Sequence, residues 1–490
     1  MRTTLVLFAS LAACNSTVSG NRTKDGGGPD APQRCGDGVK SGNEQCDGTD
    51  LGSATCASAT AAGWVGVLSC TSSCELNVAG CNPPATTWNT LTDTSKWSAF
   101  DISTLFPGAK GFISSVFDGR YLYFLPNNNG AIDGIVARFD TQGGFGASGS
   151  WETFDVSTVN GGAKGFEGGA FDGRYLYLVP YNNGAYDGLF VRYDTQGTFG
   201  DAASWTTFDL TSVDPNAKGY VFASYDGRYL YFAPHYNGAY DGDVARYDTQ
   251  GGFTDATSWS TFDVSAVNAS CKGFLGTIFD GRYIYLVPYY TGAAYDGVVA
   301  RYDTQSTTGF ANVASWSAFD IASTNGNAVG FRSTAFDGRY IYFTQYYDGA
   351  VPAYGGFVSR FDTQGSFTAP GSWASFNIGS VNANASGFIG TQFDGRYVYF
   401  IPYYSQTVMY DGIVARYDTQ GAGFGTAASW STFDVSAVNG GAKGFQGGGF
   451  DGEFIYLAPS NNGTAPSSII ARFDAKSPGW LPLGWNRTFN

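Results

Sequence analysis

Residues 165–179, GFEGGAFDGRYLYLV, contain the structural unit from which most of this chain is built. Gly165–Phe171 is a run of small and apolar residues, Asp172-Gly173 follows, and Arg174–Val179 is a second apolar run. An Asp-Gly pair supplies the positive φ that a two-residue hairpin turn needs, so the stretch reads as two antiparallel strands. In the second strand Tyr175 and Tyr177 point to one face, Leu176 and Leu178 to the other. Both faces are apolar, which suits a sheet wedged between two neighbours and not one with a wet side. The Gly-rich first strand suits a crowded place with no room for large side chains. Working outward, Pro180–Asp187 (PYNNGAYD) is a loop, Leu189–Asp194 a third strand, Thr195–Ser204 a loop and Trp205–Leu210 a fourth strand, with no helical period anywhere.

This unit recurs seven times. The Asp of a Phe/Tyr-Asp-Gly core stands at Asp118, Asp172, Asp226, Asp280, Asp337, Asp394 and Asp451, in steps of 54 or 57 residues. A Trp followed three residues on by Phe recurs at Trp97, Trp151, Trp205, Trp259, Trp316, Trp373 and Trp430. An Arg-(Tyr/Phe)-Asp element recurs at Arg138, Arg192, Arg246, Arg301, Arg360, Arg416 and Arg472. Seven strand-rich units at this period predict an all-β fold, a seven-bladed β-propeller of four-stranded antiparallel blades over residues 95–475. A Trp strand precedes the first inner strand, and none with the full pattern follows Arg472, so the strand around Trp97 is expected to complete the seventh blade and leave no open edge. Trp480 competes for that slot, but Pro478 and Pro482 flank it. The chain resembles seven-bladed propellers in general. Its period is nearest the kelch type, without the kelch Gly-Gly pair and without the Gly-His and Trp-Asp signatures of WD repeats. That resemblance implies a fold and no activity.

The composition of the 490 residues narrows the function. Hydrophobic residues make up 43% and aromatics 17%, too much buryable surface for a disordered chain. The net charge of −14 repels phosphate backbones and anionic lipid, so no nucleic-acid partner is expected. His235 is the single histidine, which excludes sites built on several His ligands or bases; no cofactor and no metal is expected.

Before the repeats, Met1-Arg2 and the apolar run Thr3–Ala13 form a signal peptide, residues 1–13. Leu11-Ala12-Ala13-Cys14 resembles the lipobox of bacterial lipoproteins. The resemblance implies cleavage before Cys14, a lipid on its sulfur as the only membrane contact, and, with Asn15 following, an exported lipoprotein of a bacterial outer membrane or cell surface. Residues 14–34 read as a flexible tether. Residues 35–82 carry Cys35, Cys46, Cys56, Cys70, Cys74 and Cys81, an even set that predicts a small disulfide-rich module with its pairing left open. The run CGDG…EQCDG resembles short Cys-rich repeats of myxobacterial surface proteins, which implies no activity. Residues 83–94 are a linker and 476–490 a C-terminal tail.

Within the repeats, a residue present in every blade serves what every blade does. The repeated Arg residues are expected in partly buried Arg–Asp pairs, with Glu453 replacing one of them in blade seven. The repeated Trp is expected to pack, and Cys271, which stands where blade two has Ala163, to be a buried thiol. The loops on one face differ from blade to blade. Blade two offers Tyr181, Asn182, Asn183, Tyr186 and Asp187; blades four to six open the same loop with Tyr289-Tyr290, Tyr346-Tyr347 and Tyr403-Tyr404. Aromatic rings beside amides and carboxylates suit sugars, whose C–H faces stack while their hydroxyls take hydrogen bonds. The competing reading is loops that hold themselves together through Asn and Asp turns. Further departures are Glu167, Arg332 and Gln446 where sibling blades hold Ile, Val or Leu, His235 in place of a Tyr, and Gln345 in place of a Pro.

These features predict a surface-anchored protein that binds extracellular carbohydrate or another polymer, its partner a glycan or a surface protein. The alternatives are a polysaccharide-degrading enzyme, lyase or glycosidase, in which Glu167, His235 and Arg332 are the distinctive polar cluster, and a structural or protein-interaction platform. Catalysis needs one unique acid–base constellation, which near-identical blades seldom offer, and no catalytic residue is assigned.

Overall fold

In a computed structural model of the chain, residues 39–40, 45–59, 64–71, 74–78, 80–349 and 354–482 are described. The signal peptide, Cys14, the tether and Cys35 lie outside them. The chain divides into two units, residues 1–55 with 66–80, and residues 56–65 with 81–490.

In the first unit, Ser69–Cys70 pairs with Leu76–Asn77, Gln45 binds the backbone of Cys74 and Leu76, and a disulfide joins Cys46 to Cys70. In the second, a disulfide joins Cys56 to Cys81. Cys74 is disulfide-bonded as well.

The second unit contains the seven-bladed propeller, seven four-stranded antiparallel sheets. In blade two the strands are Phe166–Phe171, Tyr175–Pro180, Leu189–Asp194 and Trp205–Asp209. The fourth strand stops at Asp209 because its carboxylate accepts the Thr211 N–H and caps a three-residue 3₁₀ turn, a device too short to give a helical period in the sequence. Blade seven is closed as expected: Trp97–Asp101 adds to Ile469–Asp474, with Trp97 opposite Phe473. Trp480 does not compete. It lies beside the pair Thr87–Trp88 and Lys476–Ser477, its ring 3.3 Å from the Lys476 Nζ and its Nε1 donating to the Thr86 Oγ1.

Blades hold together and to one another by a repeated set of contacts. Tyr177 is fully buried and its hydroxyl donates to the Asp172 carboxylate at 2.7 Å, while the other oxygen of Asp172 accepts the N–H groups of Arg174 and Tyr175. Arg174 binds Asp194 through two nitrogens, at 2.7 and 3.3 Å. That occupies the carboxylate, and the expectation of Arg–Asp pairs fails for the second set of arginines. Arg192 lies instead over two rings, 4.1 Å from Tyr175 and 4.7 Å from Phe253 of the next blade. The indole N–H of each of the seven repeated Trp residues binds the carbonyl six residues before it, as Trp205 does with Phe199. In blade seven, where Glu453 replaces Arg, Lys96 and Asn89 of the closing segment bind Asp474.

The first strands line the axis. A Cβ on Gly447 would lie 2.9 Å from the Cα of Ser114 in the neighbouring blade, which is why small residues are needed there. In all seven blades the register of the first strand shifts after its first or second residue, a β-bulge.

Candidate functional site: a tyrosine crescent around a polar axis

The loop between the second and third strands begins at the mouth of the central channel, because the last residue of the second strand pairs with the first of the inner strand, Pro180 with Phe166. The loop is stiff. Asn182 bridges to Tyr186, Gly184 at the tip has φ +120°, and the Asn182 Oδ1 accepts the Gly184 N–H. Asn183 donates to the Gly162 carbonyl, and Asp187 accepts the Leu189 N–H. Of the five candidates in blade two, Asn182, Asn183 and Asp187 therefore use hydrogen bonds to hold the loop, as the competing sequence reading had it. Tyr181 and Tyr186 face their neighbours.

Those neighbours are aromatic. Tyr181, His235, Tyr289, Tyr346 and Tyr403 form an inner arc around the mouth, with successive ring centroids 5.9 to 6.5 Å apart. Outside it, Tyr186, Tyr236, Tyr240, Tyr290, Tyr295, Tyr347, Tyr354, Tyr404 and Tyr410 form a second arc in steps of 4.5 to 5.2 Å. The tyrosines of both arcs are half-buried, neither core nor free in solvent. Every tyrosine singled out from the sequence belongs to this one surface. Tyr236, Tyr240, Tyr295, Tyr354 and Tyr410 were missed, although alignment of the repeats on Tyr186 would have found the last four. The crescent spans blades two to six and stops. Blade one has Asn127, Asn128 and Ile132 at the corresponding places, blade seven Ser460, Asn461 and Pro466.

At the axis, side chains from the bulged segments of blades two, five and seven meet, joined by Asn127 of blade one. Arg332 donates to Glu167 at 2.8 Å and to Gln446 at 3.3 Å; Asn127 donates to the other oxygen of Glu167 at 3.3 Å. The Arg332 guanidinium lies 5.5 Å from the Tyr346 ring. Burial pushes the Glu167 carboxyl up, and Arg332 opposes it. Burial pushes the His235 imidazole down to about 4, so it is neutral near pH 7, and its Nδ1 has no partner among the described residues. Burial raises the phenols of Tyr181, Tyr289 and Tyr346, and that of Tyr403 to about 12, so the inner arc presents neutral hydroxyls. Arg332 and Gln446, with Ser114, Thr277, Thr391, Gln392 and Gly447, line an axial cavity of about 30 Å³, room for a couple of waters and no sugar. The hydrogen bonds of Glu167 go to Arg332 and Asn127, and none to His235 among the described residues.

No family model and no curated protein matches the chain. Among solved structures it is similar to the Pan2 WD40 domain of Neurospora crassa, at 10% identity and a TM-score of 0.48 over 80% of this chain and 100% of that one. It is similar as well to the extracellular domain of a one-component system of B. thetaiotaomicron, at 11% identity and a TM-score of 0.49 over 84% of this chain and 46% of that one. A third is PorZ, a surface component of the type-IX secretion system of Porphyromonas gingivalis, at 10% identity and a TM-score of 0.41 over 79% of this chain and 39% of that one. The chain thus spans less than half the length of either bacterial structure.

Proposed function

We propose that this chain is an exported binding protein, held to a bacterial surface through a lipid on Cys14, that grips an extracellular carbohydrate polymer along its tyrosine crescent. The observation that carries this reading is the restriction of the crescent to blades two to six. Blades one and seven close the same loop with the same bridge, Asn128 to Ile132 and Asn461 to Pro466, and use no aromatic ring to do so. The fold therefore does not need the tyrosines. Tyrosine presents a rigid apolar ring and a polar hydroxyl, the combination that meets both the C–H face and the hydroxyls of a pyranose. Nine rings in sequence suit a repeating ligand, on which weak contacts multiply. The disulfides fit an oxidising compartment.

The test is retention of the folded protein on insoluble or immobilised polysaccharides. Tyr347→Ala combined with Tyr404→Ala is expected to weaken retention by about tenfold or more, the loss of roughly 1.4 kcal/mol or above. Retention of the variant equal to that of the parent protein would place the binding surface elsewhere.

A further inference from the structure

The axis carries a feature that the crescent does not explain. Glu167, Arg332 and Gln446 come from blades two, five and seven, yet their side chains converge on one another. The fold does not ask for them, since Ile113, Val221, Leu275 and Ile389 occupy the same position in the remaining blades. A buried ion pair is seldom more stabilising than the apolar side chains that could replace it, so stability does not account for this one. The pair also keeps a path to solvent, with 14% of the Arg332 side chain and 11% of that of Glu167 exposed.

We infer that the channel mouth is a subsite for the terminal unit of a neutral, hydroxyl-rich chain, with Arg332, Glu167 and Gln446 as its polar floor and the inner aromatic arc as its wall. The inference rests on the crescent being a carbohydrate surface. The floor carries both signs and both hydrogen-bonding roles. Arg332 keeps an Nε–H that has no partner among the described residues, Glu167 supplies acceptor oxygens, and the amide of Gln446 is both donor and acceptor. His235, 8% exposed, contributes a further unpartnered nitrogen, Nδ1, from the wall. A sugar hydroxyl both donates and accepts, and so matches this set. A carboxylate or sulfate would meet Glu167, and an ammonium would meet Arg332. Because the axial cavity that Arg332 and Gln446 line with Ser114, Thr277 and Thr391 holds only about 30 Å³, too little for a sugar ring, a chain does not pass into it, and what reaches the floor is an end. Each molecule has one axis, so the subsite takes one chain end, whereas the crescent takes internal segments.

The decisive variant is Glu167→Leu with Arg332→Leu, which installs the aliphatic type of the sibling blades and strands neither charge. Titration calorimetry with short neutral oligosaccharides of glucose, galactose and mannose, and with their uronic-acid counterparts, is compared with retention on the parent polysaccharide. The parent protein is expected to bind a neutral oligosaccharide one to one. The double variant should lose about tenfold in that affinity, or roughly 1.4 kcal/mol, while its polymer retention changes little. Unchanged oligosaccharide affinity would overturn the axial subsite and leave the crescent standing. Preference for the uronic acid would overturn the neutral terminus. No binding of polymer or oligosaccharide by the parent protein would overturn both. Should the double variant fail to fold, Glu167→Gln with Arg332→Gln, which keeps polarity and size, is read by the same titration.

Discussion

At the Asp-Gly end of the disc, the same hydrogen bond from a Tyr hydroxyl to an Asp carboxylate is made in all seven blades, from Tyr123 to Asp118 through Tyr456 to Asp451, at 2.6 to 2.8 Å. At the loop end the aromatic rings occupy five blades and leave two bare. The first end shows what a blade must have. Its Arg–Asp pair recurs in six blades, and in the seventh Lys96 supplies the missing cation. The second end shows what a blade can do without. Blade five sharpens the distinction. There Gly355 stands where blades one to four and six have an Asp, and the Gln345 Oε1 accepts the N–H of Phe357 in its place. A departure from the repeat is structural when a neighbour takes over the lost bond. Nothing takes over the rings where the crescent stops.

The comparison breaks most easily at the shared end. Trp97→Ala is expected to lower unfolding stability by about 3–5 kcal/mol, the cost of emptying a buried Trp site. It should also loosen the closure of blade seven, read as faster proteolysis of the Trp97–Asp101 segment in the folded protein. A loss under about 1 kcal/mol in urea unfolding would mean that this strand does not close the ring.

The loop end should respond to pH. Burial raises the carboxyls of Asp187, Asp241, Asp296 and Asp411 to about 7 and that of Asp133 to about 6. A carboxyl raised on folding stabilises the protein below its unfolded value, near 4, and that contribution is lost as pH rises through 6 to 7. At the other end, hydrogen bonds from Arg120 and Arg174 hold Asp140 and Asp194 low, a contribution lost only in stronger acid. The midpoint of thermal unfolding should therefore fall by several degrees between pH 5 and pH 8, and Asp187→Asn, which keeps the acceptor for the Leu189 N–H, should flatten the slope. A midpoint that climbs steadily over that range would refute the assignment.

The smallest effect is expected at Cys271. It is fully buried, its thiol pushed up to about 12 by burial, and its siblings at the same position are alanines, Ala217 and Ala328 among them. Cys271→Ala should change stability by less than about 1 kcal/mol, and a thiol reagent should reach the residue only after unfolding.

Much of this architecture is legible in the residues themselves, for local reasons. Asp172-Gly173 fixes a hairpin, the alternation of Tyr175 to Leu178 declares a sheet covered on both faces, and the unmatched Trp97 announces the closure. What the sequence conceals depends on neighbours in space. That Arg192 lies over Phe253 follows from Arg174 having already taken Asp194, a competition invisible in a motif. The cysteine pairings are of the same kind. At the site, composition marks Tyr181, Tyr289, Tyr346 and Tyr403, but their merging into one arc with His235 arises only when the blades are set in a ring.

The bulge in each inner strand has a consequence for how such a disc can change. Around the bulge the ladder slips, so a side chain there can be exchanged without cutting the sheet at that point. Six of the seven strands, all but that of blade three, thus set a dial around one opening. Three are turned to polar letters and the remainder to greasy ones, and resetting a single dial would give the same wheel a different key.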